Sequence, residues 1–302
     1  MNYFNDDTII YVNGTFAKAI DSKIDLYSQS LHYGYSVIEG IRAYSNIESK
    51  SKIFKAEEHF ERLRNSAAAI NMPYPFDNAA LIEATYKLLE LNGLGDAYIR
   101  PLVYAPANMT YALNTESYIT IQVWPMQPFL GDKLLRIYSS AFQRPNPNGF
   151  KIHAKAGGHY VNSIIASQDA KMRGYDEALL QDMDGNVAEG PGANVLMEKD
   201  GKFFTPSLGH ILPGITRATV LEIIHDFGLS CEEKIITHDE LKTADHVFFC
   251  GTAVEVLGWK SLDEQVFEKP WDVSLSCKIE KAYKALVRED IDTYHHIKST
   301  IN

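Results

Sequence analysis

Lys155 stands in the run HAKAGGHYVNS, among alanines and glycines and directly before an aromatic and polar stretch. A lysine amine becomes a nucleophile near neutral pH when burial or a neighbouring cation lowers its pKa, and it can then form a Schiff base with a carbonyl. The small neighbours Ala154, Ala156, Gly157 and Gly158 would let a flat ligand lie against the backbone. The plain alternative is a lysine at a loop-to-helix junction whose head group reaches water. Three further segments suit the same kind of site. In LPGITR, Leu212–Arg217, a Pro-Gly pair precedes a helix, and Thr216 adds a hydroxyl. Its first N–H groups and the positive end of the helix dipole would cradle a phosphate. Glu189, in NVAEGPGAN, is an acid followed by small residues and open to a ring nitrogen. In FCGTAVEV the turn Gly251-Thr252-Ala253 sets amide donors beside a hydroxyl, which suits a phosphate oxygen or a substrate carboxylate. Each has an ordinary counterpart: a capped helix start, a solvated turn acid, a strand-end turn.

The elements that must position these residues can be read from periodicity and turn chemistry. TIIYVNGTFAKA predicts a hairpin through Asn13-Gly14. EEHFERLRNSAAAI predicts a helix with Phe60, Leu63 and Ala67 on one face, ended by Pro73. NAALIEATYKLLELNGLG predicts a second, with Asn78 as N-cap and Gly93 as stop. AYIRPLVY and SYITIQVW follow as strands, and the two prolines and glycine of PMQPFLGD mark an interdomain loop. Beyond it LLRIYSSAF reads as a strand and GHYVNSIIASQDAKMRG as a helix closed by Gly174. A meander turns at Asp184-Gly185 and Asp200-Gly201, GITRATVLEIIHDFG forms a helix, DHVFFCG a buried strand, and residues 274–288 a last helix. Without regular βα alternation this is an α+β chain, with expected domains at 1–124 and 134–302 joined by 125–133.

Other strings imitate motifs without meeting their requirements. GPGANV runs into a strand rather than a helix, so it is no dinucleotide fingerprint. DMDGN has Ala193 at the twelfth position of a calcium loop, where glutamate is required. GWKS lacks the glycine spacing of a P-loop, and His238, Asp239 and His246 lack metal-ligand spacing, so no metal is expected. The 302 residues are 45% hydrophobic and 23% charged, enough for sizeable cores, and the net charge of −10 argues against a nucleic-acid binder. No apolar run reaches membrane-span length, and the acidic N-terminus does not read as a signal peptide. Cys231, Cys250 and Cys277 are odd in number and widely spaced, which suits a reducing compartment, and the cytoplasm is expected.

Together the four segments supply a Schiff-base lysine, a phosphate cradle, an acid for a pyridine nitrogen and donors for an acid group. That is the parts list of a pyridoxal phosphate site. A coincidence of turns would supply the same composition.

The chain resembles the branched-chain aminotransferases, class-IV pyridoxal 5'-phosphate enzymes of fold type IV. The resemblance is carried in order by LHYGYSVIEGIRAY, FERLRNSA, AYIRPL, KAGGHYVNS, EGPGANV, LPGITR and GTAVEV, from the N-terminal hairpin to about residue 285. It implies a smaller N-terminal α/β domain, a larger C-terminal domain with a barrel-like sheet, and the cofactor at the domain interface. It implies that Lys155 forms the Schiff base and moves the proton, that Glu189 keeps the ring nitrogen protonated, and that Tyr160 bonds the phenolic oxygen. Arg62, Ile215, Thr216 and Thr252 match phosphate-binding positions. Tyr98 and the Thr252-Ala253 turn match groups for the substrate α-carboxylate, and Arg100 matches the receptor for the distal carboxylate of glutamate or 2-oxoglutarate. Tyr33 matches a tyrosine contributed by a neighbouring subunit, which implies at least a homodimer.

The sequence departs from common family forms at Ala193, where many members carry glutamate, and at Ile38, where phenylalanine is common on the pocket wall. Met126 and Phe129 replace the Trp and Tyr of some members. The implied activity is ping-pong transamination between a branched-chain L-amino acid and 2-oxoglutarate. The alternatives of the same fold are a D-amino-acid aminotransferase and an aminodeoxychorismate lyase. A cofactor-binding paralogue without turnover would be expected to lose Lys155, Tyr160 or Glu189, and all three are present.

Overall fold

The computed structural model describes residues 3–126 and 130–301. By its internal contacts the chain divides into two compact units, Met1–Gln127 with Ala154–His159, and Pro128–His153 with Tyr160–Asn302. The short segment carrying Lys155 counts with the first unit, although its chain neighbours on both sides belong to the second.

In the first unit, β1 (Ile9–Val12), β2 (Thr15–Lys18), β3 (Ser36–Ile38), β4 (Ile41–Ser45), β5 (Ser51–Ile53), β6 (Ala97–Tyr104) and β7 (Tyr118–Pro125) form one antiparallel sheet. Its order is β2-β1-β7-β6-β4-β5, with β3 also on β6. β1 and β2 turn through Asn13-Gly14, both at positive φ, as the pair predicts. Helices α1 (Gln29–Tyr33), α2 (Ala56–Ala69) and α3 (Asn78–Leu91) complete the unit. Phe60, Leu63 and Ala67 of α2 and Leu81 and Leu88 of α3 share one core with Val37, Ile41 and Ile99 of the sheet. The cap of α3 is Asp77, whose carboxylate accepts from the Ala79 N–H, one residue before the Asn78 read from sequence; Asn78 accepts from the Tyr74 hydroxyl instead.

Residues 29–53, to which periodicity assigned no element, form α1 and β3–β5. β3 and β4 keep a single register along β6, Ile38 opposite Leu102 and Ile41 opposite Ile99, and the line opens at Glu39-Gly40. Opposite the opening stands Pro101, which has no N–H to give; its carbonyl accepts from the Glu39 N–H. A buried acid and a glycine in mid-strand interrupt the apolar alternation that would have identified the run.

The second unit is built on β8 (Leu135–Gln143), β9 (Glu177–Gln181), β10 (Asn194–Lys199), β11 (Lys202–Pro206), β12 (Cys231–Lys234), β13 (His246–Gly251), β14 (Glu255–Leu262) and β15 (Gln265–Val266). The sheet order is β12-β11-β10-β13-β14-β8-β9, with β15 on β14. Val187 ties its ends together, bridging Gln181 of β9 while its N–H donates to Ile236 O, just past β12. The sheet is therefore barrel-like, and Ile137, Leu179, Val195, Met197, Phe249 and Trp259 belong to the cluster that fills it. Helices α4 (Tyr160–Met172), α5 (Ile215–Asp226), α6 (His238–Lys242), α7 (Leu275–Val287) and α8 (Ile291–Ser299) complete the unit, with α4 against β8 and β9, α5 against β13, and α7 against β14. Asp200-Gly201 makes the expected two-residue hairpin turn between β10 and β11. The DMDGN run is a turn closed on itself: Asp182 accepts from the N–H groups of Asp184 and Asn186 and from the Asn186 side chain.

Candidate active site

In the first unit the backbone at Lys155 is held on both sides. Its N–H donates to Ser66 Oγ of α2 at 2.9 Å, and its carbonyl accepts from the Ile38 N–H of β3 at 3.0 Å. Ala156 bridges Val37, and the Gly158 N–H donates to Gly34 O at 2.9 Å. The small neighbours of Lys155 serve this packing, which corrects the reading that they leave room for a flat ligand. A Cβ built on Gly157 would lie 2.3 Å from Ser36 Oγ, and one on Gly34, which is at positive φ, 2.7 Å from Gly158 Cα. Ala154 and Ala156 are themselves buried.

Below the lysine segment lies a charged group that periodicity did not reveal. His59, Arg62 and Ser66 are spaced i, i+3, i+7 on α2, so they share one helix face. Glu39 is fully buried and accepts from Arg62 Nε at 2.6 Å, from Arg62 Nη2 at 2.9 Å and from the Gly40 N–H at 3.2 Å. His59 Nδ1 lies 2.7 Å from the same carboxylate and carries the hydrogen, since an ionised carboxylate can only accept. Burial alone would raise the Glu39 carboxyl, but the Arg62 guanidinium and then His59 outweigh it and hold it below the usual carboxylate range. Burial pushes His59 below the ordinary histidine value; Glu39 opposes this, while Arg62 and Lys155 reinforce it. The imidazole is thus neutral near pH 7 beside two cations and one anion.

On the opposite face of the sheet, alternation places Ile38, Tyr98, Arg100 and Leu102 together, with Trp124 paired to Tyr98 across β6 and β7. The Tyr98 and Trp124 rings stack at 5.0 Å. Gly40 makes room for this: a Cβ there would sit 2.0 Å from the Tyr98 hydroxyl. Arg100 Nη2 donates to that hydroxyl at 3.1 Å, and its Nε is buried with no hydrogen-bond acceptor among the described residues. Met126 follows directly on β7, while Phe129 lies outside the described residues. Tyr33 stands elsewhere, exposed at the end of α1 with its ring against Tyr111.

In the second unit Glu189 is buried and ringed by donors. Arg144 Nε pairs with it at 2.9 Å, Asn194 Nδ2 donates at 3.0 Å, and the Leu212 N–H donates at 3.1 Å. The acid and the LPGITR loop are therefore one assembly. That loop leads into α5, whose N-cap Gly214 offers no side-chain cap, and Ile215 and Thr216 form the first turn. Arg217 turns back into the unit, donating to Pro206 O at 3.1 Å and to Glu233 at 2.7 Å, which pins α5 to β11 and β12. Thr252 and Ala253 occupy the tight turn between β13 and β14, and Tyr160 opens α4 directly after a 3-10 turn at Gly157–His159.

The amino-transferase class IV family matches residues 36–262. This chain belongs to that family. It is 35% identical over 293 residues to the branched-chain-amino-acid aminotransferase of Pseudomonas aeruginosa, covering 95% of each chain. It is similar in structure to the branched-chain amino acid aminotransferase of Escherichia coli, with a TM-score of 0.90, 32% identity, and 94% of this chain and 96% of that one covered. It is also similar to the branched-chain amino acid aminotransferase of Thermobaculum terrenum in its PLP-form, the holo-form. There the TM-score is 0.89 at 30% identity, covering 96% of this chain and 97% of that one.

As a class IV aminotransferase the chain is an enzyme, and each unit carries groups that fit a pyridoxal-type cofactor: the first an amine on a fixed segment, the second a buried carboxylate among donors and the Thr216 hydroxyl in the first turn of a helix without a side-chain cap. Sequence reasoning missed Glu39, His59, Trp124, Arg144 and Asn194. Only the α2 trio carried a readable signal, the polar i, i+3, i+7 stripe beside the apolar one. Arg144 meets Glu189 from a distant segment, and Asn194, five residues from Glu189, takes its second partner from Leu212, 18 residues on.

Proposed function

We propose that the chain transfers the amino group of a branched-chain L-amino acid to 2-oxoglutarate, using pyridoxal 5'-phosphate. Bound pyridoxal phosphate supplies an electron-accepting ring that stabilises the charge left when the substrate α-carbon loses its proton. Lys155 holds the cofactor through its amine and moves that proton. Glu189 holds a proton at the ring nitrogen, with Arg144 and Asn194 keeping the carboxylate in place. Tyr160 orients the phenolic oxygen, and Arg62, Ile215, Thr216 and Thr252 bind the phosphate. Tyr98 and the Thr252-Ala253 turn take the substrate α-carboxylate.

The observation that carries the substrate reading is Arg100. Its guanidinium sits on a sheet face with Ile38, Leu102 and Trp124 and keeps a buried Nε with no acceptor among the described residues. An apolar wall with one cation at its edge receives a leucine side chain in one half-reaction and the distal carboxylate of glutamate in the other. Met126 extends the wall in this reading, and the relatives' names support it.

A second copy of the chain completes the site through Tyr33. The support is the apolar surface around it, where Tyr111 is 93% exposed and Leu113 is 83% exposed. Sedimentation at twice the mass of one chain checks this. The cytoplasm is the compartment proposed, since Cys231, Cys250 and Cys277 are free thiols. No described helix is long and apolar enough to cross a membrane.

The decisive experiment follows the near-visible absorption of the protein with pyridoxal phosphate. L-leucine is expected to convert the band to that of the amine form, and 2-oxoglutarate to restore it. A band that ignores L-leucine but responds to D-alanine or D-glutamate would overturn the substrate assignment.

A further inference from the structure

We propose that Asn194 is a positioning residue that joins the ring-nitrogen acid to the start of α5, so that the two ends of the cofactor seat are set by one carboxamide. Its Nδ2 spends one hydrogen on Glu189 Oε2 at 3.0 Å and the other on Leu212 O at 3.0 Å. Its Oδ1 lies so close to Gly214 that a Cβ built there would be 2.0 Å away. Gly214 is the N-cap of α5, and the Leu212 N–H returns a bond to Glu189. Asn194 is itself buried and begins β10, paired with Cys250 just before the Thr252 turn. The residue thus bonds the acid and the loop and packs against the helix cap, where it requires glycine at position 214. Arg144 neutralises Glu189 but touches none of the loop among the contacts described. An amide suits the role because it donates to an ionised carboxylate without adding charge.

The inference rests on the pyridoxal phosphate reading, and the experiment separates the two. Pyridoxal phosphate affinity is measured by fluorescence quenching, and the near-visible spectrum is recorded against pH, for wild type, N194D, N194A, G214A and the double variant N194A/G214A. In N194D two carboxylates face each other, so one proton is shared between them and the pair donates only when protonated. Affinity is expected to fall on the order of tenfold to a hundredfold at pH 8, the range for losing a hydrogen bond to a charged group. It is expected to recover towards wild type as the pH is lowered to 6. G214A is expected to weaken binding, and the double variant to bind no more weakly than N194A alone, because removing the carboxamide removes the clash. Melting curves of the apo forms identify any variant that fails to fold; if N194A does so, the N194D pH profile decides. A pH-independent affinity in N194D within twofold of wild type would overturn the proposal. So would losses from N194A and G214A that multiply in the double variant. Wild type that takes up no pyridoxal phosphate would overturn the cofactor reading, and this inference with it.

Discussion

At the scale of single residues, the acids Glu39 and Glu189 are buried, each against a cationic partner. Glu39 has no exposure, yet it holds two hydrogen bonds from Arg62 and one from His59, so its ionisation and the direction of Arg62 are settled together. Removing one partner of such a pair leaves an uncompensated buried charge. Glu39→Gln is expected to destabilise the protein by ~3–5 kcal/mol, measured by chemical denaturation. A variant within experimental error of wild type would mean that Arg62 finds another anion. Lys155→Ala leaves the backbone bonds to Ser66 and Ile38 available, since neither uses the side chain. It is expected to keep the circular dichroism of wild type and to lose turnover by ~10³-fold or more, the scale on which a proton-moving group acts. Appreciable multiple-turnover transamination in that variant would remove Lys155 from its role.

At the scale of elements, the glycines are positioned for contact between backbones. Gly34 ends α1 at positive φ and lies against Gly158, two strictures on one residue. Gly34→Ala is expected to cost ~1–2 kcal/mol for the left-handed conformation alone. A methyl 2.7 Å from Gly158 Cα adds to that by moving the segment that carries Lys155. The expected result is a lowered melting temperature together with a lower kcat; unchanged kcat in a folded variant would show that the segment is set by Ser66 and Ile38 alone. Hairpins and helix stops were legible here, because Asn13-Gly14, Asp200-Gly201 and Gly228 carry their conformation locally. Residues 29–53 were not, because their pattern serves a helix-facing acid and a proline opposite rather than a plain alternation.

At the scale of the whole molecule, the buried histidine couples folding to pH. His59 has its pKa lowered in the folded chain, chiefly by burial, while the unfolded chain takes up a proton near pH ~6.5. A depressed folded value means stability that is complete above that pH and is lost as the pH falls below it. His238 and His246, also lowered mainly by burial, act in the same sense. The melting temperature is expected to fall between pH 7 and pH 5, and His59→Asn to reduce the slope without abolishing it. A slope unchanged by the substitution would show that His59 takes up its proton inside the folded chain.

The α+β class, the order of most elements and the lysine, acid and helix-start segments were determined by the sequence itself, since turn chemistry and periodicity act within a few residues. The family followed from seven short runs kept in order. What only the tertiary structure decided is who holds whom. The resemblance matched Arg62 to a phosphate-binding position, but nothing in the sequence showed that Glu39, 23 positions away in the chain, accepts from it twice. Asn194 was one letter in a quoted motif until Leu212, 18 positions on, took its second hydrogen. The small residues beside Lys155 read as space for a ligand, and the fold fills that space with β3 and the end of α1. A buried polar group is satisfied by whatever the fold brings within ~3 Å of it, and no local pattern encodes that partner.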